Sequence, residues 1–193
     1  MMPSIKSCLI DEANAIINLS NTIGEEILPF LDKLSECKGK RFFTGVGKSL
    51  MVSEKIASSF SSVGYSSIEI DPLRLLHGDL GLLTKDDIII AVSNSGETDI
   101  LISALQVASQ LGVGIMSITS NANSTIAKMS LFHILVKTKE AGAFGLVPSS
   151  STTAVMALGD ALLCGLIKRD HLSVVDFIRY HPGGELGKTK IDW

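Results

Sequence analysis

Ile88-Ile89-Ile90-Ala91-Val92, Ser93-Asn94-Ser95-Gly96-Glu97-Thr98 and the helical pattern that continues to Gln110 form the stretch that decides the fold. The apolar run is too short for a helix and is typical of a buried strand. Apolar residues then recur at helical spacing, and Gly112 follows as the predicted end of the helix. The first amides of such a helix have no internal partner, and the hydroxyls of the turn add donors. The stretch therefore predicts a phosphate-binding turn.

Similar patterns lie on both sides of this unit. We predict four further strands, at residues 40–44, 67–70, 114–119 and 131–136, with helices between them and a short last helix at residues 173–180. Short connections between alternating strands and helices indicate an α/β fold: a mostly parallel sheet covered by helices on both faces. Ligands of such sheets bind beyond the carboxyl ends of the strands.

Residues 1–38 precede the first predicted strand and show helical spacing that is interrupted near Gly24 and Pro29. We expect a helical arm, as one interrupted helix or two shorter ones, that belongs to the same domain as residues 39–193. Two roles fit such an arm: subunit packing, or covering the sheet of its own chain.

Composition excludes several classes of protein. The chain has 193 residues, of which 46% are hydrophobic and 19% charged, and a net charge of -3, so we expect one folded domain that does not bind nucleic acid. We find no apolar run approaching the roughly 20 residues that cross a bilayer, and the early Asp11 and Glu12 disfavour a signal peptide. Cys8, Cys37 and Cys164 are isolated, which predicts reduced core cysteines in a cytoplasmic protein without membrane contact.

A second glycine-containing turn, 45–49, follows the first predicted strand. It resembles half of two phosphate motifs, but Leu50 replaces the third glycine of a dinucleotide fingerprint and Phe42 the first glycine of a P-loop. Nucleotide binding is therefore disfavoured. We still expect Gly45 and Gly47 to allow close backbone approach, and Lys48 and Ser49 to face the crevice.

Residues 149–153 form a third hydroxyl-rich helix start. One such cluster is ordinary helix capping, and Thr98 could serve as a cap alone. Three clusters at one crevice favour a shared site for a phosphate and sugar hydroxyls. The predicted substrate-binding residues are Gly45, Gly47, Ser49, Ser93, Asn94, Ser95, Gly96, Thr98, Ser149, Ser150, Ser151 and Thr152.

The histidines divide into two pairs. His133 lies in an apolar strand and is interpreted as structural, whereas His171 lies in a polar turn and is interpreted as solvated. His77 and His181 lie beside glycines in irregular segments that can carry side chains into a site, although either alone fits a surface role better. No Cys or His pair has zinc spacing, so we predict no metal and no cofactor.

Seven segments occur in the order typical of one family: 45–49, 77–81, 93–97, 139–141, 148–153, 159–161 and 181–184. They resemble the sugar isomerase (SIS) domain of D-arabinose 5-phosphate isomerases, from about Arg41 to Gly187. The resemblance implies interconversion of D-arabinose 5-phosphate and D-ribulose 5-phosphate, which feeds the synthesis of Kdo for lipopolysaccharide or capsule. It implies a five-stranded parallel sheet flanked by helices on both faces, a flavodoxin-like three-layer sandwich, and a homotetramer with sites between subunits. It also implies functional residues at Lys48, His77, Glu97, Glu140 and His181.

Two departures accompany this resemblance. Many relatives continue into a pair of CBS modules, whereas this sequence stops at Trp193, so we expect catalysis without regulation by such modules. Gly142-Ala143-Phe144 stands where relatives often have Cys-Pro-Leu, which leaves the loop shape open.

Aldose–ketose isomerisation moves a proton between two carbons through an enediolate. We expect Glu140 to be the base at carbon, with Glu97 second, in a site closed enough to raise the carboxyl pKa. His77 and His181 are candidates for ring opening and proton transfer between oxygens, and Lys48 for binding the enediolate or the phosphate. Two rival functions are another isomerase of this fold, such as a phosphoheptose isomerase, and a non-catalytic sensor of sugar phosphates.

Overall fold

The structure is a computed structural model and describes residues 1–142 and 144–183. Ala143 and Gly184, which belong to two of the motifs above, lie outside the described residues. The strands are β1 (Arg41–Thr44), β2 (Ser67–Glu69), β3 (Ile88–Ser93), β4 (Gly114–Thr119) and β5 (Phe132–Leu135). The helices are α1 (Met2–Thr22), α2 (Leu28–Glu36), α3 (Lys48–Ser61), α4 (Pro72–Leu76), α5 (Asp99–Gln110), α6 (Thr125–Met129), α7 (Ser150–Arg169) and α8 (Val174–Arg179).

The five strands form one sheet in the order β2-β1-β3-β4-β5, and every neighbouring pair is parallel. The predicted sheet is therefore confirmed. β3 lies at its centre and is buried at every position, because helices cover both faces and leave no polar side. Its carboxyl end leads through the serine-rich turn into α5, and Gly112 ends that helix region with a φ of +84°.

Two apolar layers hold the helices on the sheet. One face packs α3 and α7 around Phe43, Ile90 and Phe60, and the other packs α4 and α5 around Phe42 and Ile89. Gly159 of α7 allows a close approach to α3, since a Cβ there would lie 2.5 Å from Cγ1 of Ile56. This close packing sets where α7 begins, and its first residues carry the third hydroxyl cluster.

α7 is long and apolar enough to cross a bilayer by length and composition, and in the described residues no other helix meets that test. The expectation that no such segment exists was therefore wrong. Half of this apolar stretch is buried inside the protein, and α7 contributes Leu158, Leu162 and Leu166 to the core beside the sheet. In this fold it is a core helix, whose apolar character follows from packing against both the sheet and the arm.

The N-terminal arm contains two helices joined by a 3-10 turn at Glu25–Ile27. Pro29 lies in the first turn of α2, where its missing N–H is tolerated, so it starts a helix instead of bending one. The short helices α4 and α6 were not predicted, because five-residue helices give too little periodicity to read. The cysteines are free, but none is buried in the core, and Cys164 is exposed.

Candidate active site

The loops beyond the carboxyl ends of β1, β3 and β4 and the start of α7 surround one cavity, with an empty volume of about 330 Å³ that includes space open to solvent. Its lining is Ser49, Val52, Val92, Ser93, Asn94, Ile118, Thr119, Ser120, Val136, Ser151, Thr152 and Val155. All three predicted hydroxyl-bearing segments thus reach the same cavity. A site lined by hydroxyl groups and backbone amides suits a phosphate, because a fully ionised phosphate has no proton to donate and acts only as a hydrogen-bond acceptor.

The first loop depends on two glycines. Gly47 has φ +60° and ψ -122°, a conformation that other residues rarely adopt, and it directly precedes α3. At Gly45 a Cβ would lie 2.9 Å from the carbonyl oxygen of Val92 in β3, so the close approach of this loop to the neighbouring strand end requires glycine. This loop conformation places Ser49 in the cavity wall and leaves the neighbouring residue Lys48 exposed.

The second loop holds itself in shape. The Ser93 hydroxyl accepts a hydrogen bond from the Gly96 backbone at 3.1 Å and lies 3.1 Å from the Thr98 hydroxyl. The Ser95 hydroxyl accepts one from the Glu97 backbone at 3.2 Å. Ser93 and Asn94 line the cavity, whereas Ser95, Gly96 and Thr98 are not in its lining and act within the turn. Thr98 starts α5 without a side-chain cap, so its hydroxyl supports Ser93 instead.

Glu97 faces a neighbouring helix. Its carboxylate accepts a hydrogen bond from the Thr125 backbone at 2.9 Å, at the first residue of α6. Hydrogen bonds from the side chain and the backbone of Thr125 hold the Glu97 pKa below its ordinary value. Glu97 is absent from the cavity lining and is exposed. Its contacts are those of a residue that joins the second loop to α6.

Glu140 binds the start of α7, where the third hydroxyl cluster lies. Its Oε2 accepts hydrogen bonds from the backbone of Ser149 at 2.9 Å and of Ser151 at 3.2 Å, and its Oε1 accepts one from the Ser151 hydroxyl. Partial burial by itself would raise the Glu140 pKa, but these hydrogen bonds outweigh it and lower the pKa. The expected raised pKa was therefore wrong, since the carboxylate caps a helix.

The rest of the third cluster has divided roles. Ser151 and Thr152 line the cavity, and Ser149 caps nothing through its own side chain but joins Glu140 to the helix. The Ser150 hydroxyl is buried and has no hydrogen-bond partner among the described residues. Ser150 therefore points into the protein and not into the cavity lining.

Glu140 also lines a second cavity, between α1 and the loop after β5. One wall of this cavity consists of Asp11, Asn14 and Asn18 of α1, and the other contains Lys137 and Thr138. Its empty volume is about 710 Å³, including space open to solvent. Glu140 does not line the first cavity, but it accepts a hydrogen bond from the hydroxyl of Ser151, which does line it. The carboxylate is thus placed between a hydroxyl-lined pocket and a polar one.

The two predicted catalytic histidines lie elsewhere. His77 is exposed in the turn that ends α4. His181 follows α8, stacks on Phe177 at 4.0 Å between ring centroids, and its Nδ1 lies 2.8 Å from the Phe177 carbonyl oxygen. An Nδ1–H that donates to this carbonyl leaves Nε2 unprotonated in the neutral ring.

His181 lies at the opposite edge of the sheet from the cavity. α3 runs from the carboxyl edge to the amino edge, and Val63 and Gly64 follow its last turn. Phe177 shares a cavity with Val63, and the Tyr180 ring packs against Gly64 just before β2 begins. Within one copy of the chain, His181 and Glu140 are therefore separated by the length of the sheet.

The sequence analysis missed Thr119 and Ser120 as cavity residues. They follow the last apolar position of β4, and the signal that could have revealed them is the sheet order: β4 neighbours β3, so the two strand ends open into one crevice. Among the described residues, no group of three or more His, Cys, Asp and Glu side chains is placed to hold a metal ion.

A parallel five-stranded sheet with hydroxyl-rich turns around one crevice defines the class as a sugar-isomerase-type α/β domain. The SIS domain family model matches residues 33–164, and the chain belongs to this family.

Particular relatives are close. The chain is 38% identical over 184 residues to arabinose 5-phosphate isomerase KdsD of Escherichia coli K12, which covers 95% of this chain and 56% of the relative. The chain thus spans little more than half the length of the curated relatives it matches. The solved structure of E. coli CFT073 c3406 in complex with arabinose 5-phosphate is 34% identical, with a TM-score of 0.89 over 92% of this chain and 95% of that one. A putative sugar-phosphate isomerase of Listeria monocytogenes is 31% identical, with a TM-score of 0.90 over 94% of this chain and 96% of that one.

Proposed function

We propose that this chain is an aldose–ketose isomerase that interconverts D-arabinose 5-phosphate and D-ribulose 5-phosphate. The observation that carries the proposal is the convergence of three hydroxyl-rich loops on one cavity, with a carboxylate at its border. The similarity to arabinose 5-phosphate isomerases over 95% of the chain, and to a structure that holds arabinose 5-phosphate, supports the choice of sugar.

The phosphate of the substrate occupies the cavity between Ser49, Ser93 and Ser151. The backbone amides of the loops and the positive ends of α3, α5 and α7 favour the negative charge there. The side-chain amide of Asn94 donates to a remaining oxygen, whereas the hydroxyls of Ser120 and Thr152 donate to the carbonyl oxygens of Asn94 and Ser149 and shape the wall. The sugar carbons then extend toward Glu140 and the polar cavity behind it.

Glu140 is the base at carbon. Its lowered pKa keeps it ionised at neutral pH, so it is always in the form that accepts a proton, although it is a weaker base than a carboxylate with a raised pKa. Glu140 removes the proton from C2 of the open-chain aldose, which gives the enediolate, and returns it to C1, which gives the ketose. The enediolate oxygens need a cation or hydrogen-bond donors, and Lys48 lies beside the cavity residue Ser49.

His77 and His181 supply the proton transfers between oxygens and ring opening, in roles that the chemistry alone does not divide between them. Glu97 is the second candidate base, but Glu140 accepts a hydrogen bond from the cavity residue Ser151, whereas Glu97 accepts one from Thr125, which does not line the cavity. No metal or cofactor is part of the proposal.

The working form is a homotetramer with active sites between copies of the chain. Two observations support it: His181 lies at the far edge of the sheet from Glu140, and α1 exposes large apolar side chains, among them Ile5 at 54%, Leu9 at 65% and Ile17 at 54%. An exposed apolar helix face of this size marks an interface. A His181 from another copy would complete each site.

The biological setting follows from the reaction. We expect the product to serve Kdo synthesis for lipopolysaccharide or capsule, in the cytoplasm, and the similarity to the arabinose 5-phosphate isomerase KdsD supports this setting.

The test is incubation of the purified chain with D-arabinose 5-phosphate, with ribulose 5-phosphate formation followed in the presence of a chelator. Turnover at a rate that the chelator leaves unchanged is the expected result. Faster conversion of a heptose phosphate would identify a different isomerase. Thermal stabilisation by the pentose phosphate without any turnover would favour a sugar-phosphate sensor and contradict the proposal.

A further inference from the structure

A chain of hydrogen bonds leads from His133 in β5 to the cavity. His133 Nε2 lies 3.0 Å from the Thr119 hydroxyl at the end of β4, and Thr119 lines the cavity with only 2% of its surface exposed. The next residue, Ser120, donates from both its backbone and its hydroxyl to the Asn94 carbonyl oxygen, at 2.9 and 2.7 Å. Asn94 belongs to the second hydroxyl loop.

The direction of these bonds can be assigned. The Thr119 hydroxyl donates its one proton to the Asn121 carbonyl oxygen at 3.0 Å and accepts from the Asn121 backbone at 3.1 Å. Its oxygen therefore has one acceptor position left for His133, so the imidazole carries its proton on Nε2. Partial burial lowers the His133 pKa, which agrees with a neutral ring.

The Thr119 hydroxyl is thus fully used inside the protein and has no proton to offer a ligand. Its two hydrogen bonds with the backbone of Asn121 fix the turn after β4. Ser120 belongs to the same turn and hydrogen-bonds the Asn94 carbonyl oxygen. We infer that His133 is a positioning residue of the sugar-phosphate site, which acts through Thr119 on the loops after β4 and β3. This inference rests on the proposed function for its substrate, but phosphate binding tests it independently.

The test compares His133→Leu, which removes the donor but fills the space, with His133→Gln, whose amide nitrogen can reach the position of Nε2. Loss of one buried hydrogen bond that supports the site corresponds to about a 3- to 10-fold change in a dissociation constant. For His133→Leu we expect KM for D-arabinose 5-phosphate to rise about 3- to 10-fold. We expect kcat to stay within about twofold, because the start of α7 holds Glu140 and the loops after β3 and β4 do not. His133→Gln should stay close to the parent. His171→Asn, at an exposed turn, is the matched control.

A purely structural role for His133 would lower the melting temperature and leave KM unchanged, which would overturn the inference. Thr119→Val provides a second route that holds even if His133→Leu does not fold, and it should raise KM to the same degree. The double variant should be no worse than either single one, because both break the same contact. Additive losses would contradict the assignment.

Dissociation constants for inorganic phosphate, from thermal shifts, separate this inference from the proposed function. If no variant and no parent turns over the pentose phosphate, the isomerase proposal fails. The inference about His133 still stands or falls on whether phosphate binding weakens about 3- to 10-fold in His133→Leu and Thr119→Val but not in His133→Gln.

Discussion

At the scale of single residues, Glu140 joins two functions in one side chain. It caps α7 through the backbone of Ser149 and Ser151, and it accepts a hydrogen bond from the hydroxyl of Ser151, which lines the cavity. A carboxylate at a helix N-terminus is stabilised by the helix dipole and by the free amides. The same contacts fix the position of the carboxylate for the proposed proton transfer, so a substitution should affect stability and catalysis to different extents.

The first prediction concerns catalysis. Glu140→Gln keeps the shape of the side chain but removes the base, so kcat should fall about 10²- to 10⁴-fold. The inhibition constant for inorganic phosphate should change little, since Ser49, Ser93 and Ser151 remain. Steady-state kinetics with phosphate as a competitive inhibitor measures both quantities. A variant that turns over at the parent rate would exclude Glu140 as the base.

The second prediction concerns pH. The Glu140 pKa is lowered in the folded state, so its ionised form stabilises the fold above the unfolded-state pKa, and this stabilisation is lost as pH falls through the folded pKa. The parent should therefore be more stable than Glu140→Gln near neutral pH, and the difference should shrink in acid, below the ordinary carboxyl value of 4.5. Urea unfolding of both proteins across this range measures it. A difference independent of pH would contradict the assigned hydrogen bonds.

At the scale of elements, the site is built from three strand-to-helix turns, and each depends on a different device. The turn before α3 depends on the backbone of Gly47, the turn before α5 on hydroxyl contacts around Ser93, and the start of α7 on the Glu140 carboxylate. A Cβ added at Gly47 would meet no other atom within 4 Å, so glycine is required there for its backbone conformation alone.

The third prediction follows from that distinction. Gly47→Ala has no atom to clash with, but alanine is strained at φ +60° and ψ -122°, so the free energy of unfolding should fall by about 1–3 kcal/mol. KM should rise as well, because Ser49 moves with the turn. Gly81→Ala is the control: its surroundings are equally open, without a positive φ. Equal stability of the two variants in urea would show that Gly47 is under no conformational constraint.

At the scale of the whole molecule, the proposed roles of Glu140 and His181 require assembly, because the two residues lie at opposite edges of the sheet. The first lies beyond the carboxyl ends of the strands, and the second contacts Phe177, which shares a cavity with Val63 at the amino edge. A side chain cannot span the sheet, so a reaction that uses both residues requires at least two copies. The exposed apolar face of α1 supplies a surface for that contact.

The fourth prediction uses complementation. Glu140→Gln and His181→Gln should each be nearly inactive, whereas their co-assembly should restore activity. If each site takes the two residues from different copies, random mixing leaves about one quarter of the sites intact. Activity of co-expressed, doubly tagged oligomers measures this recovery. No recovery in oligomers that contain both variants would contradict a shared site.

Much of this organisation could be predicted from local sequence. The strands were found because buried parallel strands are continuous apolar runs, and the three hydroxyl-rich turns because hydroxyl residues at a helix start have no use in a core. The bounds of β4 were predicted at Gly114–Thr119 and found there. The hydrogen bonds of Glu97 and Glu140 could not be predicted. Glu97 accepts from the start of α6, a helix too short to show periodicity, and no spacing rule connects Glu140 to the predicted helix start at Ser149 and Ser151.

The sequence by itself determined the α/β class, the parallel sheet and the residues that could bind a phosphate, because periodicity and turn chemistry act over a few neighbouring positions. The tertiary structure alone decided which of those groups meet. It turned Glu97 toward Thr125, placed Thr119 between His133 and the crevice, and put His181 at the far edge. These outcomes depend on strand order and helix packing, which bring together residues that are distant along the chain.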